Sequence, residues 1–576
     1  MPKIIKHKTI VRAKHVPHKT NILCQQAKNS IKSLTSNNIL SSYTKYLSLI
    51  INKFITNPIH KHTLERIFAI KHKIKTKVQN ITENNTAISS ASSSSSALVS
   101  SSLIGQINNP NVFIQHYKHI EARYQIPKFI ELFKYLFTKP NFIKHFTTDE
   151  LSSINNILTN THYTHDKHQK HQIYEYLDNN SIGEKISNTY YKEFHSFTND
   201  IEQHFPSIKF HQLLINSFTS YTILENIEHN MTTLTIGSLE YTNTSTSTLI
   251  NIKHDSFLYI YNNGIGNSIG NSIGNGNGNG MANLKILTHN IIDRILFFNE
   301  FLETDKLPNK FIIFLTNQKK EIDNALEHKA HFRTLNVNSA VTNGQDIIIY
   351  RKQELLKSIF HELIHFHTMD FRSMPPNSEV IIIKYLKTTH NIADSNKYLL
   401  YECITESLAN ILNNIYSRET HNIKDFKKHF INELIFSTLQ VAKILQICKY
   451  TSWEEFTLTP IHTSTGTHHN THNHAKQFKQ DSCVFSYYIL KLYILLNIDE
   501  YWAILDKQLK FISNENNFTK LMAIFEKGRK DTYLSSIINA ILDSNIKLNI
   551  HKNIKNTNRQ RRAKIYKTLR MTCIHD

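Results

Sequence analysis

The order of apolar and polar positions separates helical stretches from strand-like ones. In "IPKFIELFKYLFTK" (126–139) and "FHQLLINSFTSYTILENI" (210–227) the apolar residues recur at helical spacing, which predicts a mainly helical region over 105–230. The texture then changes. "MTTLTIGSLEYTNTSTSTLINIKHDSFLYIY" (231–261) is rich in β-branched and aromatic residues and predicts strands. A helix is expected at "LKILTHNIIDRILFFNEFL" (284–302) and a short strand at "KFIIFLT" (310–316). Two more strands, "RTLNVNSAVT" and "DIIIYR", flank a turn at Asn343-Gly344. From residue 397 to 548 the pattern is helical again. The apolar run "VFSYYILKLYILLNI" (484–498) is too short for a membrane span and carries Lys491, so a buried helix is expected.

Two low-complexity stretches interrupt this pattern. "AISSASSSSSALVSSS" (87–102) reads as a flexible linker, and residues 262–280 form a Gly/Asn repeat. Strands lie on both sides of the repeat, so it reads as an insert inside one domain. It contains GxSxG twice, at Ser268 and Ser272. A serine nucleophile needs one strained strand-to-helix turn, so tandem matches inside a repeat reflect repetition.

Charge adds a second kind of boundary. The net charge of +21 is concentrated at the two ends of the 576 residues. Residues 1–80 hold 16 Lys/Arg against Glu65 alone, and residues 549–576 hold eight against Asp576 alone. The four expected segments are therefore a basic, partly disordered N-terminal region with the Ser-rich linker (1–104), a helical domain (105–230), a mixed domain (231–548) and a basic C-terminal tail (549–576). Basic ends suit nucleic acid or another polyanion, and "NRQRRAKIYKTLR" (558–570) resembles a nuclear-targeting run. Five scattered cysteines without a CxxC predict a reducing, intracellular setting (cytoplasm, nucleus or virion) without a disulfide framework.

The candidate chemistry sits in "QELLKSIFHELIHFHT" (353–368), which contains His361-Glu362-Leu363-Ile364-His365. Among 34 histidines an HExxH match alone is weak, so its context decides. On a helix, i and i+4 share a face. Glu354, Ser358, His361, His365 and Thr368 form one polar stripe on an otherwise apolar helix. Zinc needs a third protein ligand and an open position. "YLLYECITESLANILNN" (398–414) offers Glu402 and Glu406 on one stripe of a second apolar helix. The strand candidates just before the motif are placed to hold an extended peptide. Glu362 flanks the ligand stripe and suits a general base. Asp370, Glu402 and Glu406 are candidates to fix histidine tautomers, and Tyr487, Tyr488 or Tyr401 to stabilise an oxyanion. The histidines of "HTSTGTHHNTHNHAK" (462–476) have no ligand spacing and read as a polar loop.

"HELIH" with "ECITESLAN" resembles the zincin metallopeptidases of the gluzincin branch over roughly residues 310–415. "ECITE" is similar to the ExxxD pattern of thermolysin-like peptidases, with Glu in place of Asp at 406. That pattern implies Glu402 as the zinc ligand and Glu406 as the buttress of a ligand histidine. "TESLAN" also resembles the EGxA segment of aminopeptidase-like members, which implies Glu406 as ligand. The resemblance implies an α+β zincin-like domain, with a small mixed sheet, an active-site helix and a helical C-terminal subdomain. It implies a Zn²⁺-dependent endopeptidase acting on protein or peptide substrates. The composition and inserts are similar to HExxH proteins of large DNA viruses. The alternative expectation is an inactive zincin fold that serves as a structural or polyanion-binding protein.

Overall fold

The computed structural model describes residues 20–91, 113–116, 122–123, 128–159, 167–204, 214–216, 219–231, 233–242, 253–262, 279–304, 306–322, 330–371, 378–393, 398–458, 478–543 and 568–574. Most of the Ser-rich stretch, the Gly/Asn repeat with Ser268 and Ser272, the 462–476 loop and most of the basic C-terminal run lie outside them. The class is α+β, with helices dominating and one small mixed sheet.

The strands are β1 (Phe113–His116), β2 (Ala122–Arg123), β3 (Thr233–Thr242), β4 (Lys253–Asn262), β5 (Lys310–Phe314), β6 (His331–Phe332), β7 (Ala340–Thr342), β8 (Asp346–Ile349) and β9 (Lys479–Gln480). The main sheet runs β1-β3-β4-β5-β8-β7, with β2 also on β3. β3 and β4 pair antiparallel from Thr233↔Asn262 to Thr242↔Lys253. β4, β5 and β8 are parallel, and the edge strand β7 is antiparallel to β8. The β7–β8 turn forms where expected, with Gly344 at φ 86° and the Asn343 side chain accepting from the Gln345 and Asp346 amides.

Alternation along the strands makes the sheet a middle layer. Leu258, Ile260, Phe311, Ile313, Ile347 and Ile349 face the larger core. Tyr261, Ile312, Phe314, Ile348 and Tyr350 face a second core built by residues 129–231. The expected helix over 210–227 starts only at Tyr221. Asp178 explains the break: its carboxylate accepts from Ser220 Oγ, the Tyr221 and Thr222 amides and Thr222 Oγ1, so a neighbouring helix caps this one there. "RTLNVNSAVT" is also corrected, since Thr334–Val337 form a helical turn and only Ala340–Thr342 pair as strand.

The described parts of both basic ends are folded. Residues 20–91 form three helices, α1 (Thr20–Leu34), α2 (Asn37–Thr56) and α3 (Pro58–Ala91). In α2, Tyr43, Leu47, Ile51 and Phe54 fall on one stripe and enter the larger core. The Lys71 ammonium is buried and donates to the carbonyls of Ile415, Ser417 and Thr420, capping the C-terminus of the Leu400–Tyr416 helix. At the other end, residues 568–571, Cys573 and Ile574 are buried rather than a solvated tail. Cys573 is also disulfide-bonded, which the odd cysteine count did not suggest. Cys403, Cys448 and Cys483 are free and buried. Among the described residues one helix, Ile423–Ile447, is long and apolar enough to cross a membrane, and its most apolar window is 94% buried inside the fold.

Candidate functional site

The HExxH segment is a helix, Leu355–Phe366, directly after β8. It is buried almost all round, with His365 its one partly exposed residue. Phe297 and Phe298, from the Asn279–Leu302 helix that links β4 to β5, pack on Phe360 from behind. The Leu400–Tyr416 helix packs along the front, with Glu402 and Glu406 one turn apart.

Three side-chain atoms converge between these helices. His361 Nε2 lies 3.1 Å from His365 Nε2. Glu402 Oε2 is 3.2 Å from the first and 3.5 Å from the second. The outer ring nitrogens are held by other carboxylates. His361 Nδ1 lies 3.1 Å from Glu406 Oε2, and His365 Nδ1 lies 2.7 Å from Asp370 Oδ2. A carboxylate can only accept there, so it draws the proton onto Nδ1 and leaves the Nε2 lone pair pointing inward. Two imidazole lone pairs and a carboxylate oxygen then face one another. Glu402 Oε2 is buried and, among the described residues, has no hydrogen-bond donor of good geometry. Such a cluster repels itself unless a proton or a metal cation lies between the acceptors.

The spacing fits an ion. A tetrahedral zinc with bonds of about 2.0–2.2 Å sets its ligand atoms about 3.3–3.6 Å apart. The three separations, 3.1, 3.2 and 3.5 Å, lie at or just below that range. Titration behaviour agrees with a site shaped for positive charge. Burial pushes the Glu402 carboxyl up, but His365 and His361 hold it down at about 2. Burial lowers the affinity of both histidines for a proton, yet Glu402 with Glu406 on one, and Glu402 with Asp370 on the other, raise it overall. Burial raises the pKa of Glu362, whose side chain lines the same cavity.

Geometry separates the two carboxylates that the sequence left open. Glu406 is corrected from ligand to support, because Lys357 Nζ takes both of its oxygens, at 2.8 and 2.6 Å, and His361 Nδ1 shares one. Glu402 is the carboxylate that faces both Nε2 atoms. Tyr488 is corrected as well: its hydroxyl donates to the Leu569 carbonyl, deep in the core and away from the cavity. Tyr487 and Tyr401 remain at the site. The Tyr487 ring meets His361 edge-on at 6.0 Å, the Tyr401 ring meets His365 at 5.8 Å, and both line the cavity. Residues Phe485–Leu490 form a π-helical turn, a distortion frequent at functional sites.

The cavity, about 690 Å³, is walled on one side by β7 and the turn after it. Residues 337–345 face the motif helix across it. Sequence reasoning missed Lys357. Its signal was a lone lysine one turn before His361 on an otherwise apolar helix. Replacing Lys357 by Leu removes the ammonium that bonds both oxygens of the buried Glu406. Expected is a loss of about 3–5 kcal/mol in stability and a fall of about 10- to 100-fold in metal affinity. Denaturation curves and a competitive chelator titration read the two effects separately.

Comparison with family models, curated proteins and solved structures returns no match for this chain.

Proposed function

We propose that this chain is a zinc-dependent endopeptidase of gluzincin type. One observation carries the reading: His361 Nε2, His365 Nε2 and the buried Glu402 Oε2 converge within metal-ligand spacing at the floor of an open cavity. Zn²⁺ held by these three groups supplies a Lewis acid that polarises a carbonyl and brings the pKa of a water to about 7.

The other roles belong to side chains of the chain itself. Glu362 accepts the proton of the attacking water and delivers it to the amide nitrogen of the leaving group. Glu406 and Asp370 keep the Nδ1 protons of His361 and His365 in place and so fix both ring orientations. β7, an edge strand among the described residues, offers backbone N–H and C=O groups, against which an extended peptide lies as an added strand. Tyr487 and Tyr401 stand beside the histidines, where a phenol hydroxyl can donate to the oxyanion.

The test is metal content. The purified full chain is expected to hold one zinc, and His361→Ala to hold none while keeping its fold by circular dichroism. Equal zinc in both proteins would remove the site. Hydrolysis of an unstructured protein substrate, abolished by a chelator and restored by zinc, tests the activity.

A further inference from the structure

The cavity has two unlike ends. Past His365 it is bounded by Asp370, Phe371 and Tyr401. Before His361 it closes on Lys320, Lys357, Ser358 and Met571, each nearly or wholly buried. Lys357 is one helical turn from His361, about 5–6 Å between Cβ atoms, so this blind end lies one residue's reach from the scissile bond.

Its chemistry is cationic. Lys320 Nζ bonds Glu354 at 2.8 Å and Lys357 Nζ bonds Glu406. Each ammonium also points at the Met571 thioether, at 3.3 and 3.4 Å. A thioether is a weak acceptor, so Lys320, with one carboxylate oxygen and this sulfur, has donor capacity that is poorly used, whereas Lys357 bonds both Glu406 oxygens and has only the sulfur contact to exchange. The wider surroundings tip the same way. Lys491 donates to the Met571 carbonyl and Arg570 approaches Glu354, so two further cations stand beside this end. A second polar group lies on the opposite wall. Ser339 lines the cavity, and its hydroxyl is buried without a hydrogen-bond partner among the described residues.

We infer that this blind end is a carboxylate-recognising subsite, in which the Lys320 and Lys357 ammonium groups and the Ser339 hydroxyl bind a substrate carboxylate next to the scissile bond. It deepens the peptidase reading and rests on it. The carboxylate has two sources, an Asp or Glu side chain or the free end of a peptide. A charge-assisted hydrogen bond is worth about 1.5–3 kcal/mol, so the expected preference is about 10- to 100-fold.

The experiment measures binding of fluorescent peptides to the zinc-loaded Glu362→Gln full chain, with hydrolysis by the wild type read separately. One peptide series carries Glu or Gln at each position flanking the scissile bond, with amidated ends. A second ends one residue after that bond, as free acid or amide. A preference for Glu assigns the subsite to an acidic side chain, and a preference for the free acid assigns it to a peptide terminus. Lys320→Met is expected to erase the preference, and Ser339→Ala, which removes no charge, to reduce it several-fold. Gln peptides that bind within twofold of Glu peptides, with amides matching acids, overturn the subsite. So does a preference unchanged in a folded Lys320→Met protein. Absence of hydrolysis for every peptide counts against the peptidase reading instead, since binding is scored independently.

Discussion

Glu362→Gln is expected to lower peptide hydrolysis by about 10²- to 10⁴-fold, the range of general acid–base catalysis, while bound zinc stays at one per chain. The substitution keeps shape and removes only the proton-accepting oxygen. Glu362 is buried and lines the cavity, yet it is absent from the converging cluster of His361, His365 and Glu402. A site residue outside that cluster separates chemistry from metal binding. Glu402→Gln makes the contrast, because it weakens the inward-facing acceptor itself, so metal and activity are expected to fall together. Zinc content by elemental analysis beside turnover on a quenched peptide distinguishes the two. Turnover within about threefold of wild type in Glu362→Gln would transfer the base to another group. Zinc lost from Glu362→Gln would make it part of the metal site.

Much of this arrangement is written locally and could be read from the chain. The i, i+4 histidines, the apolar faces around them and the turn at Asn343-Gly344 depend on neighbours a few residues away. What escaped reading depends on contacts between distant segments. Glu402 and Glu406 share one stripe, so spacing alone could not rank them. The rank comes from Lys357, which occupies both Glu406 oxygens across the helix interface. Tyr487 and Tyr488 are adjacent in sequence, and only the packing of a π-helical turn turns one toward His361 and the other toward Leu569. The helix expected over 210–227 starts late, at Tyr221, for the same kind of reason, since Asp178 supplies a cap from a separate helix. Composition misled most at the ends, where abundant lysine hid the helical apolar stripe of α2.

The largest stability effect is expected at the C-terminal segment, which composition read as a basic tail. Its backbone is bonded at nearly every residue by buried side chains. Lys443 donates to the Thr568 carbonyl and Tyr488 to that of Leu569. Lys491, at 2.9 Å, and Asn410, at 3.1 Å, donate to that of Met571. Glu354 accepts from the Met571 and Thr572 amides at 2.7 and 2.8 Å, and Glu433 accepts from the Cys573 amide at 2.9 Å. Glu354 is also the residue before the motif helix, held at φ 62°, a conformation that costs a non-glycine residue about 1–3 kcal/mol. The segment thus fixes the residue from which the HExxH helix starts. Ending the chain at Lys567 strips these partners together. Each buried polar group left alone costs about 1–3 kcal/mol, and more where it is charged. Five or six such groups come to roughly 5–18 kcal/mol, on the order of the whole 5–15 kcal/mol that holds a domain folded. The shortened protein is therefore expected to lose cooperative unfolding and zinc binding, whereas ending the chain at Ile574 leaves both intact. Thermal unfolding of the two truncations with zinc titration is the measurement. A folded, zinc-binding chain that stops at Lys567 would return these residues to the status of a tail and leave the strained Glu354 without a cause.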